Sequence, residues 1–159
     1  FFELRHKVEV GRFPHYMAFA DWNHDGKRDV AVVVAGEDAV DLLIGDGRGG
    51  FMRGSRLPAG VNPPGLTMAD LNGDGIMDLA VSNRSSRDVT VLLGTGNGFS
   101  AATPIATGQD IIALEAGDFD GDGRRDLALV SASHHAVVIY RGDGAGGFVP
   151  LRGSAPPGK

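Results

Sequence analysis

The chain has no cysteine, no long apolar run and no helical periodicity, and each absence excludes a class of protein. Without thiols there is no disulfide framework, no thiolate metal site and no cysteine nucleophile. No apolar run approaches the roughly 20 residues that span a bilayer, so membrane insertion is not expected. A formal net charge of −5, with scattered cations, argues against a nucleic-acid partner.

Glycine and short apolar segments are what the sequence has in abundance. The 159 residues include 25 glycines, and 42% of the residues are hydrophobic, which suits one domain with its own core. The chain starts at Phe1 with neither an initiator Met nor a signal peptide, and we therefore expect a mature chain or an excised fragment.

Three nine-residue segments share one arrangement of polar side chains. DWNHDGKRD, DLNGDGIMD and DFDGDGRRD, here named acidic loops 1, 2 and 3 (residues 21–29, 70–78 and 118–126), carry acidic or amide groups at positions 1, 3, 5 and 9. Oxygens at alternate positions converge when the chain turns tightly, and glycine at position 6 tolerates the positive φ of that turn. Such a hard oxygen cage favours Ca²⁺ over Mg²⁺. A backbone carbonyl at position 7 would add a ligand: Lys27, Ile76 and Arg124.

Two alternatives, a simple polar turn and an EF-hand loop, would each require a different sequence pattern from a strand–loop–strand calcium site. A turn in which Asp and Asn bond only their own backbone would not require an acid at position 9. An EF-hand or dockerin loop requires an acid at position 12 and flanking helices. Position 12 is instead Val32, Val81 and Leu129, each within an apparent strand. The pattern therefore indicates a strand–loop–strand calcium site.

The acidic loops belong to a longer repeat. Their first residues, Asp21, Asp70 and Asp118, are 49 and 48 positions apart. Each loop is followed by two apolar runs, and the second run ends in a glycine-rich turn and a Phe, as in VTVLLGTGNGF. We predict one domain with repeats over residues 2–50, 51–98 and 99–147, while residues 148–159 start a fourth outer strand and form a tail.

Each repeat predicts four short strands. The third and fourth strands are apolar at most positions, which suits a sheet covered on both faces. Repeated four-stranded units of this length that pack face to face are the blades of a β-propeller, so the predicted fold class is all-β. A β-roll would need a glycine–aspartate repeat every nine residues, and the sequence has none.

The segment DLNGDGIMDLAVSN followed by VTVLLGTGNGF resembles an FG-GAP/VCBS repeat, the blade of integrin α-subunit propellers and of many secreted bacterial proteins. The resemblance covers nearly the whole chain three times. It implies a β-propeller with structural Ca²⁺, about one ion per repeat, in the loop between the first two strands of each blade. The side-chain ligands that it implies are Asp21, Asn23, Asp25 and Asp29; Asp70, Asn72, Asp74 and Asp78; and Asp118, Asp120, Asp122 and Asp126.

Two residues of acidic loop 1 differ from the other copies. His24 stands where the others have glycine, so this site is expected to be slightly distorted, and imidazole at position 4 is not an expected ligand. Trp22 aligns with Leu71 and Phe119, which indicates a packing residue.

The loops at the blade end opposite the acidic loops differ among the repeats, and in integrin-like propellers that face is the recognition face. This suggests a ligand surface, although unconstrained loops also diverge. Its residues are Glu37, Asp38, Arg84, Ser85, Ser86, Arg87, His134 and His135.

The predicted function is that of a non-enzymatic, calcium-binding module for recognition of, or adhesion to, an extracellular protein or glycan. No nucleophile elbow or zinc-binding helix signature is present. The expected location is secreted or at the cell surface, and the excess of arginine over lysine suggests a bacterial source. An accessory propeller of a secreted polysaccharide- or lipid-degrading enzyme and a lectin remain as alternatives.

Three blades are too few for a ring, because propellers close with about four to eight. The chain is therefore either a fragment of a longer propeller or half of a homodimer with six blades. The segment Phe2–Val10 would then complete the last blade of a partner copy. In the competing arrangement, Phe148–Arg152 completes its own blade and the N-terminal strand is surplus.

Overall fold

The computed structural model describes residues 6–101 and 104–151, and within them the fold is all-β. A single 3-10 turn, Ala35–Glu37, is the one helical element of this part of the chain. Parts of the predicted segments Phe2–Val10 and 148–159 lie outside the described residues. The strands are β1 (Pro14–Ala20), β2 (Asp29–Val34), β3 (Ala39–Gly45), β4 (Phe51–Pro58), β5 (Gly65–Ala69), β6 (Asp78–Asn83), β7 (Asp88–Gly94), β8 (Phe99–Ala101), β9 (Ile105–Ala106), β10 (Ile111–Gly117), β11 (Asp126–Ser131), β12 (Ala136–Gly142) and β13 (Phe148–Pro150).

The strands form three antiparallel sheets, each a simple meander. Blade 1 has the order β1-β2-β3-β4, blade 2 has β5-β6-β7-β8 with β9 also pairing with β7, and blade 3 has β10-β11-β12-β13. An acidic loop joins the first two strands of every blade, and a glycine turn joins the last two. The predicted all-β class with propeller-type blades is confirmed, and the three sheets form an open segment that does not close into a ring.

The sheets are offset by one strand from the sequence repeats. Strand β4 begins the second repeat, yet it pairs with β3 in blade 1, where Phe51 lies opposite Gly45. Each of the first two blades therefore takes its outer edge from the following repeat. This offset links consecutive sequence repeats through the backbone hydrogen bonds of a shared sheet.

The blades pack face to face around two apolar cores whose buried side chains are at most 9% exposed. Blade 1 meets blade 2 through Ala31, Val33, Val40, Leu42, Leu66, Leu79, Val81 and Leu92. Blade 2 meets blade 3 through Ala80, Val89, Val91, Leu114, Leu127, Leu129 and Tyr140. Both faces of blade 2 are thus covered, which explains why β6 is buried at all six of its positions and β7 at five of seven.

Trp22 is a core residue, as its alignment predicted. Its side chain is 5% exposed, and its ring centroid lies 5.7 Å from that of Phe99 in blade 2. Leu71 occupies the equivalent place between blades 2 and 3 and is 1% exposed. Phe119, in blade 3, is 50% exposed. The difference arises because Trp22 and Leu71 each pack in a core with the following blade, whereas the described chain places no blade beside Phe119.

The two chain ends behave differently at the outer edges of the blades. Residues 6–10 form no strand, but Val8 and Val10 pack on the apolar face of blade 1 around Val32. At the other end, β13 pairs with β12 inside blade 3, with Phe148 opposite Gly142. Within the described residues no helix is long and apolar enough to cross a membrane.

Candidate metal centres

The acidic loops place four polar side chains at the start of the second strand of each blade. Positions 1, 3 and 5 lie in the loop, partly or largely exposed to solvent, whereas position 9 is the first residue of β2, β6 or β11. These position-9 carboxylates, Asp29, Asp78 and Asp126, are all 0% exposed. Each loop therefore joins exposed oxygens to one buried carboxylate.

The turn in each loop depends on glycine, as the sequence predicted. At position 6, Gly26, Gly75 and Gly123 have φ of +81°, +84° and +84°. At position 4, His24 has φ of +58°, in the left-handed region where the other two loops have glycine. Acidic loop 1 thus adopts the same turn as the other two loops, but with the backbone of His24 in a strained conformation.

Backbone N–H groups fix the first carboxylate of each loop. Asp70 accepts the N–H of Gly75 at Oδ2 over 2.9 Å and the N–H groups of Gly73 and Asp74 at Oδ1. The equivalent bond from Gly123 to Asp118 is 3.0 Å long. These Asx-type bonds orient the carboxylate inside the turn. They do not involve position 9, whose acidic side chain in all three loops needs a separate cause.

The buried Asp78 is held by two backbone donors. Its Oδ1 atom accepts the N–H of Gly94 over 2.7 Å, and its Oδ2 atom accepts the N–H of Leu71 over 2.8 Å. Burial raises the pKa of Asp78, the two N–H donors oppose that rise, and the carboxylates of Asp74 and Asp70 add to it. Burial and the neighbouring carboxylates thus make the charge of Asp78 more costly than that of an exposed Asp, and a nearby cation would offset this cost.

Asp29 is held less completely than the other two buried carboxylates. Its Oδ1 atom accepts the N–H of Gly45 over 2.9 Å, whereas its buried Oδ2 atom lies near the N–H of Trp22 without the well-formed hydrogen bond that Leu71 and Phe119 give to Asp78 and Asp126. Burial raises the pKa of Asp29, the N–H groups of Gly45 and Trp22 oppose this rise, and the carboxylates of Asp25 and Asp21 add to it. A buried carboxylate oxygen without a well-formed hydrogen bond is costly, and a hard divalent cation would satisfy it. Among the described residues, the carboxylates that lie close enough together to hold such an ion are those of acidic loop 3.

Acidic loop 3 brings its carboxylates closest together. Asp118, Asp120 and Asp126 each offer an oxygen within 4.8 Å of the others, and no other group of three acidic or histidine residues does so in the part of the chain described. Asp122 lies outside this group. Its oxygens accept the N–H of Arg124 over 2.9 Å and a guanidinium N–H of Arg141 over 3.2 Å.

Position 5 is engaged differently in the other two loops. Asp25 forms an ion pair with the Lys27 ammonium group at 3.2 Å. Asp74 accepts a side-chain N–H of Asn72 over 3.0 Å. In all three loops the residue at position 7 donates its backbone N–H to the position-5 carboxylate; these residues are Lys27, Ile76 and Arg124.

Two features of the site were not predicted from the sequence. The first is that the N–H groups of Gly45, Gly94 and Gly142 donate to the position-9 carboxylates. The constant spacing of these glycines after each acidic loop was the sequence feature that could have indicated this contact. A Cβ on Gly94 would lie 2.3 Å from the Met77 carbonyl oxygen, so only glycine fits. The second feature is Arg141, which pairs with Asp120 and Asp122 at 3.2 Å; the matching positions in blades 1 and 2 hold Ile44 and Leu93.

The EF-hand alternative is excluded by the local structure. Position 12 of each loop, Val32, Val81 and Leu129, lies inside a β-strand and is at most 9% exposed. No α-helix flanks a loop in the described residues. The sites are therefore of the strand–loop–strand type.

The opposite end of the blades carries a polar cavity between blades 2 and 3, with a volume of about 520 Å³. It is lined by Arg84, Ser85, Arg87, Gly108, Asp110, Ser133 and His134. Arg84 approaches Asp110 at 4.0 Å, and Nδ1 of His134 contacts the hydroxyl groups of Ser131 and Ser133. We name this feature the loop-end cavity.

Four residues of the predicted ligand surface meet in the loop-end cavity, and four do not. Glu37 instead pairs with Arg56 and Arg12. Asp38 accepts the N–H of Asn62 over 2.8 Å. The hydroxyl of Ser86 accepts the N–H of Val61 over 3.0 Å, and His135 is exposed in the left-handed conformation with φ of +50°.

Comparison with known proteins agrees with the geometry of the loops and blades. The family model for the FG-GAP-like repeat matches residues 21–81 and again residues 70–129. The two matches together run from the first acidic loop to the third and cover more than half of the chain. A search among curated proteins gave no match. The chain belongs to the FG-GAP-like repeat family.

Proposed function

We propose that this chain is a calcium-binding β-propeller module in which Ca²⁺ is structural and a loop-end surface recognises an extracellular ligand. The observation that carries the calcium proposal is the fully buried position-9 carboxylate, which in acidic loop 3 offers an oxygen within 4.8 Å of those of Asp118 and Asp120. A divalent cation bound there would remove the repulsion among the acidic groups and satisfy the buried oxygen. The module is proposed to be non-enzymatic.

The side chains that would hold the ions are those of the three loops. The proposed ligands are Asp21, Asn23, Asp25, Asp29, Asp70, Asn72, Asp74, Asp78, Asp118, Asp120, Asp122 and Asp126, with the backbone carbonyls of Lys27, Ile76 and Arg124. Ca²⁺ supplies charge neutralisation and a link between loop and strand. The protein's part is to hold the oxygens through the N–H groups of the acidic loop and of the glycine turn.

The setting that suits these loops is outside the cell. Extracellular calcium modules bind with a Kd of roughly 10⁻⁴ to 10⁻³ M, and we propose affinities in that range for these loops. A secreted or cell-surface location, in a bacterium, follows as part of the proposal.

The loop-end cavity supports recognition of an acidic group on a protein or glycan. Arg84 and Arg87 both line it, and Asp110, which lies 4.0 Å from the Arg84 guanidinium group, is the one carboxylate among its lining residues. Because arginine binds carboxylate and sulfate groups through paired N–H donors, a concave site with two arginines favours such groups. Arrays of acidic and neutral glycans, probed with the protein and its Arg87→Ala variant, test this. Equal signals for acidic and neutral members would contradict it.

Calcium stoichiometry tests the metal proposal. Isothermal titration of the calcium-free protein should give about three bound Ca²⁺ per chain, one for each acidic loop. The Asp74→Ala variant should lose about one of them and keep the other two. The control is Asp46→Thr, which removes an acid from the glycine turn of blade 1 where blade 2 has Thr95. Loss of all binding in a folded Asp74→Ala variant would contradict independent sites.

A further inference from the structure

One face of blade 3 exposes apolar side chains that are buried at the same positions in the other blades. Val137 is 64% exposed, whereas its counterparts Val40 and Val89 are 0% exposed. Phe119 is 50% exposed, against 5% for Trp22 and 1% for Leu71. Because the repeats are alike, the difference reflects the neighbour that each blade has in the described chain.

We define the open face of blade 3 as Phe119, Ala128, Val130, Val137 and Ile139. Strand register places Ala128 opposite Ile139 and Val130 opposite Val137, so these four share one side of the sheet. The corresponding residues of blade 1, such as Leu42, are covered by blade 2. The open face is therefore a blade-binding surface without a blade on it among the described residues.

Blade 1 exposes the complementary kind of surface at the other end. Met17 is 57% exposed and Phe19 is 48% exposed. They pair with Val32 and Val30 and share their face of the sheet. The counterpart of Met17 in blade 2, Leu66, is buried at 0% against blade 1. Met17 and Phe19 thus belong to the face that receives a preceding blade.

The N-terminal segment shows how such a preceding blade would sit. Val8 and Val10 pack on this same face of blade 1. Their counterparts one repeat later, Leu57 and Ala59, pack at the interface of blade 1 with blade 2. Residues 6–10 therefore occupy the place of the second half of the outer strand of a preceding blade. The first half, which is β13 (Phe148–Pro150) in blade 3, and the three inner strands are what this surface lacks.

We propose that a second copy of this chain supplies those strands. The open face of blade 3 in each copy packs on the Met17–Phe19 face of blade 1 in the other, and residues 6–10 of each lie beside the partner's blade 3. Two such contacts related by a two-fold axis give a closed ring of six blades, within the range that propellers adopt. The contact repeats the two interfaces already present inside the chain, and it does not depend on the calcium proposal.

The mass of the full chain in solution tests the proposal. Light scattering after size-exclusion chromatography between 1 and 100 µM should give the mass of two chains. The substitutions Val137→Asp and Met17→Lys should each give a monomer with unchanged far-ultraviolet circular dichroism, since both residues are exposed within one chain. Met52→Asp is the matched control, because Met52 is 65% exposed and belongs to neither face; it should stay dimeric.

Mixing the two monomeric variants tests which faces meet. A Val137→Asp copy and a Met17→Lys copy can form one unaltered contact and one contact between opposite charges, so the mixture should regain the dimer mass. If Met17→Lys alone stays dimeric while Val137→Asp is monomeric, blade 3 pairs with blade 3 and the six-blade ring is wrong. A wild-type monomer up to 100 µM, or assembly beyond two chains, would also overturn it.

Discussion

Gly94 donates its backbone N–H to Oδ1 of Asp78 over 2.7 Å, and this bond fastens the acidic loop of blade 2 to the end of its third strand. The same bond joins Gly45 to Asp29 and Gly142 to Asp126, at 2.9 Å in both. The buried carboxylate of each loop is thus oriented by a glycine 16 residues further on. The acidic loop and the glycine turn therefore form one structural unit, which occurs in all three repeats.

We expect Gly94→Ala to destabilise the fold by about 2–3 kcal/mol, because the added Cβ would lie 2.3 Å from the Met77 carbonyl oxygen. Gly96→Ala is the control: Gly96 has φ of +78° but no neighbouring atom within 4 Å of a Cβ. It should cost about 1 kcal/mol, from backbone strain alone. Urea unfolding measures both, and equal losses would show that the close approach is not what requires glycine.

A reciprocal exchange tests the strain at His24. Replacing His24 by Gly should stabilise the protein by about 1 kcal/mol, because a non-glycine residue in the left-handed region carries roughly that cost. Gly73→His, at the same position of acidic loop 2, should destabilise by a similar amount. Thermal and urea unfolding of both variants measure the change in the free energy of unfolding. Changes of the same sign in the two variants would contradict backbone strain at His24.

Arg141 should weaken calcium binding at acidic loop 3, because its guanidinium group already pairs with Asp120 and Asp122 at 3.2 Å. Arg141→Leu, which copies blade 2, should tighten that site by about two- to five-fold, a modest gain because the pairs are partly exposed. Arg125→Met, within acidic loop 3 itself, removes an equal charge near the same site without breaking an ion pair among the described residues. Calcium titration in which both variants behave alike would show that net charge matters more than the contact.

Asp41 should stabilise blade 1 through its ionised form. Burial by itself would raise the pKa of Asp41, but the side-chain hydrogen bonds of Arg56, the N–H of Gly11 and the nearby arginine charges outweigh it, and the pKa lies below the ordinary 3.8. A lowered pKa means that the stabilisation is present above about pH 4 and is lost as the pH falls through the lower, folded-state value.

Asp41→Asn is therefore expected to cost about 1–3 kcal/mol at pH 7, the range for a hydrogen bond to a charged group. The deficit relative to the wild type should shrink below pH 3.8. Urea unfolding of both proteins from pH 7 to pH 3 measures it, and a deficit that is constant with pH would contradict the sign.

Repetition made the strands and acidic loops predictable. Three aligned copies separate residues that the fold requires, such as Gly75 and Asp78, from those that vary, and the alternation of apolar runs and turns gives the hairpins. The burial of Trp22 also followed from its alignment with Leu71. The local sequence pattern was sufficient to predict a residue's structure wherever the same physical environment recurs in every blade.

Features that occur once were beyond this reasoning. Arg141 has no basic counterpart in the other repeats, and its contact with Asp122 depends on the pairing of β12 with β11. Residues 6–10 carry the pattern of an outer strand but form none, because no neighbouring strand of the described chain offers hydrogen bonds at that edge. Contacts between segments distant in the sequence determine both the position of Arg141 and the conformation of residues 6–10.

Thermal unfolding with and without calcium tests the central claim most directly. Each site held at ten times its Kd adds about 1.4 kcal/mol, so three sites add about 4 kcal/mol, a large share of the stability of a typical domain. We predict that excess EDTA lowers the melting temperature markedly, that Ca²⁺ restores it, and that Mg²⁺ restores it poorly. A melting curve that is the same in excess EDTA and in millimolar Ca²⁺ would contradict a structural role for calcium.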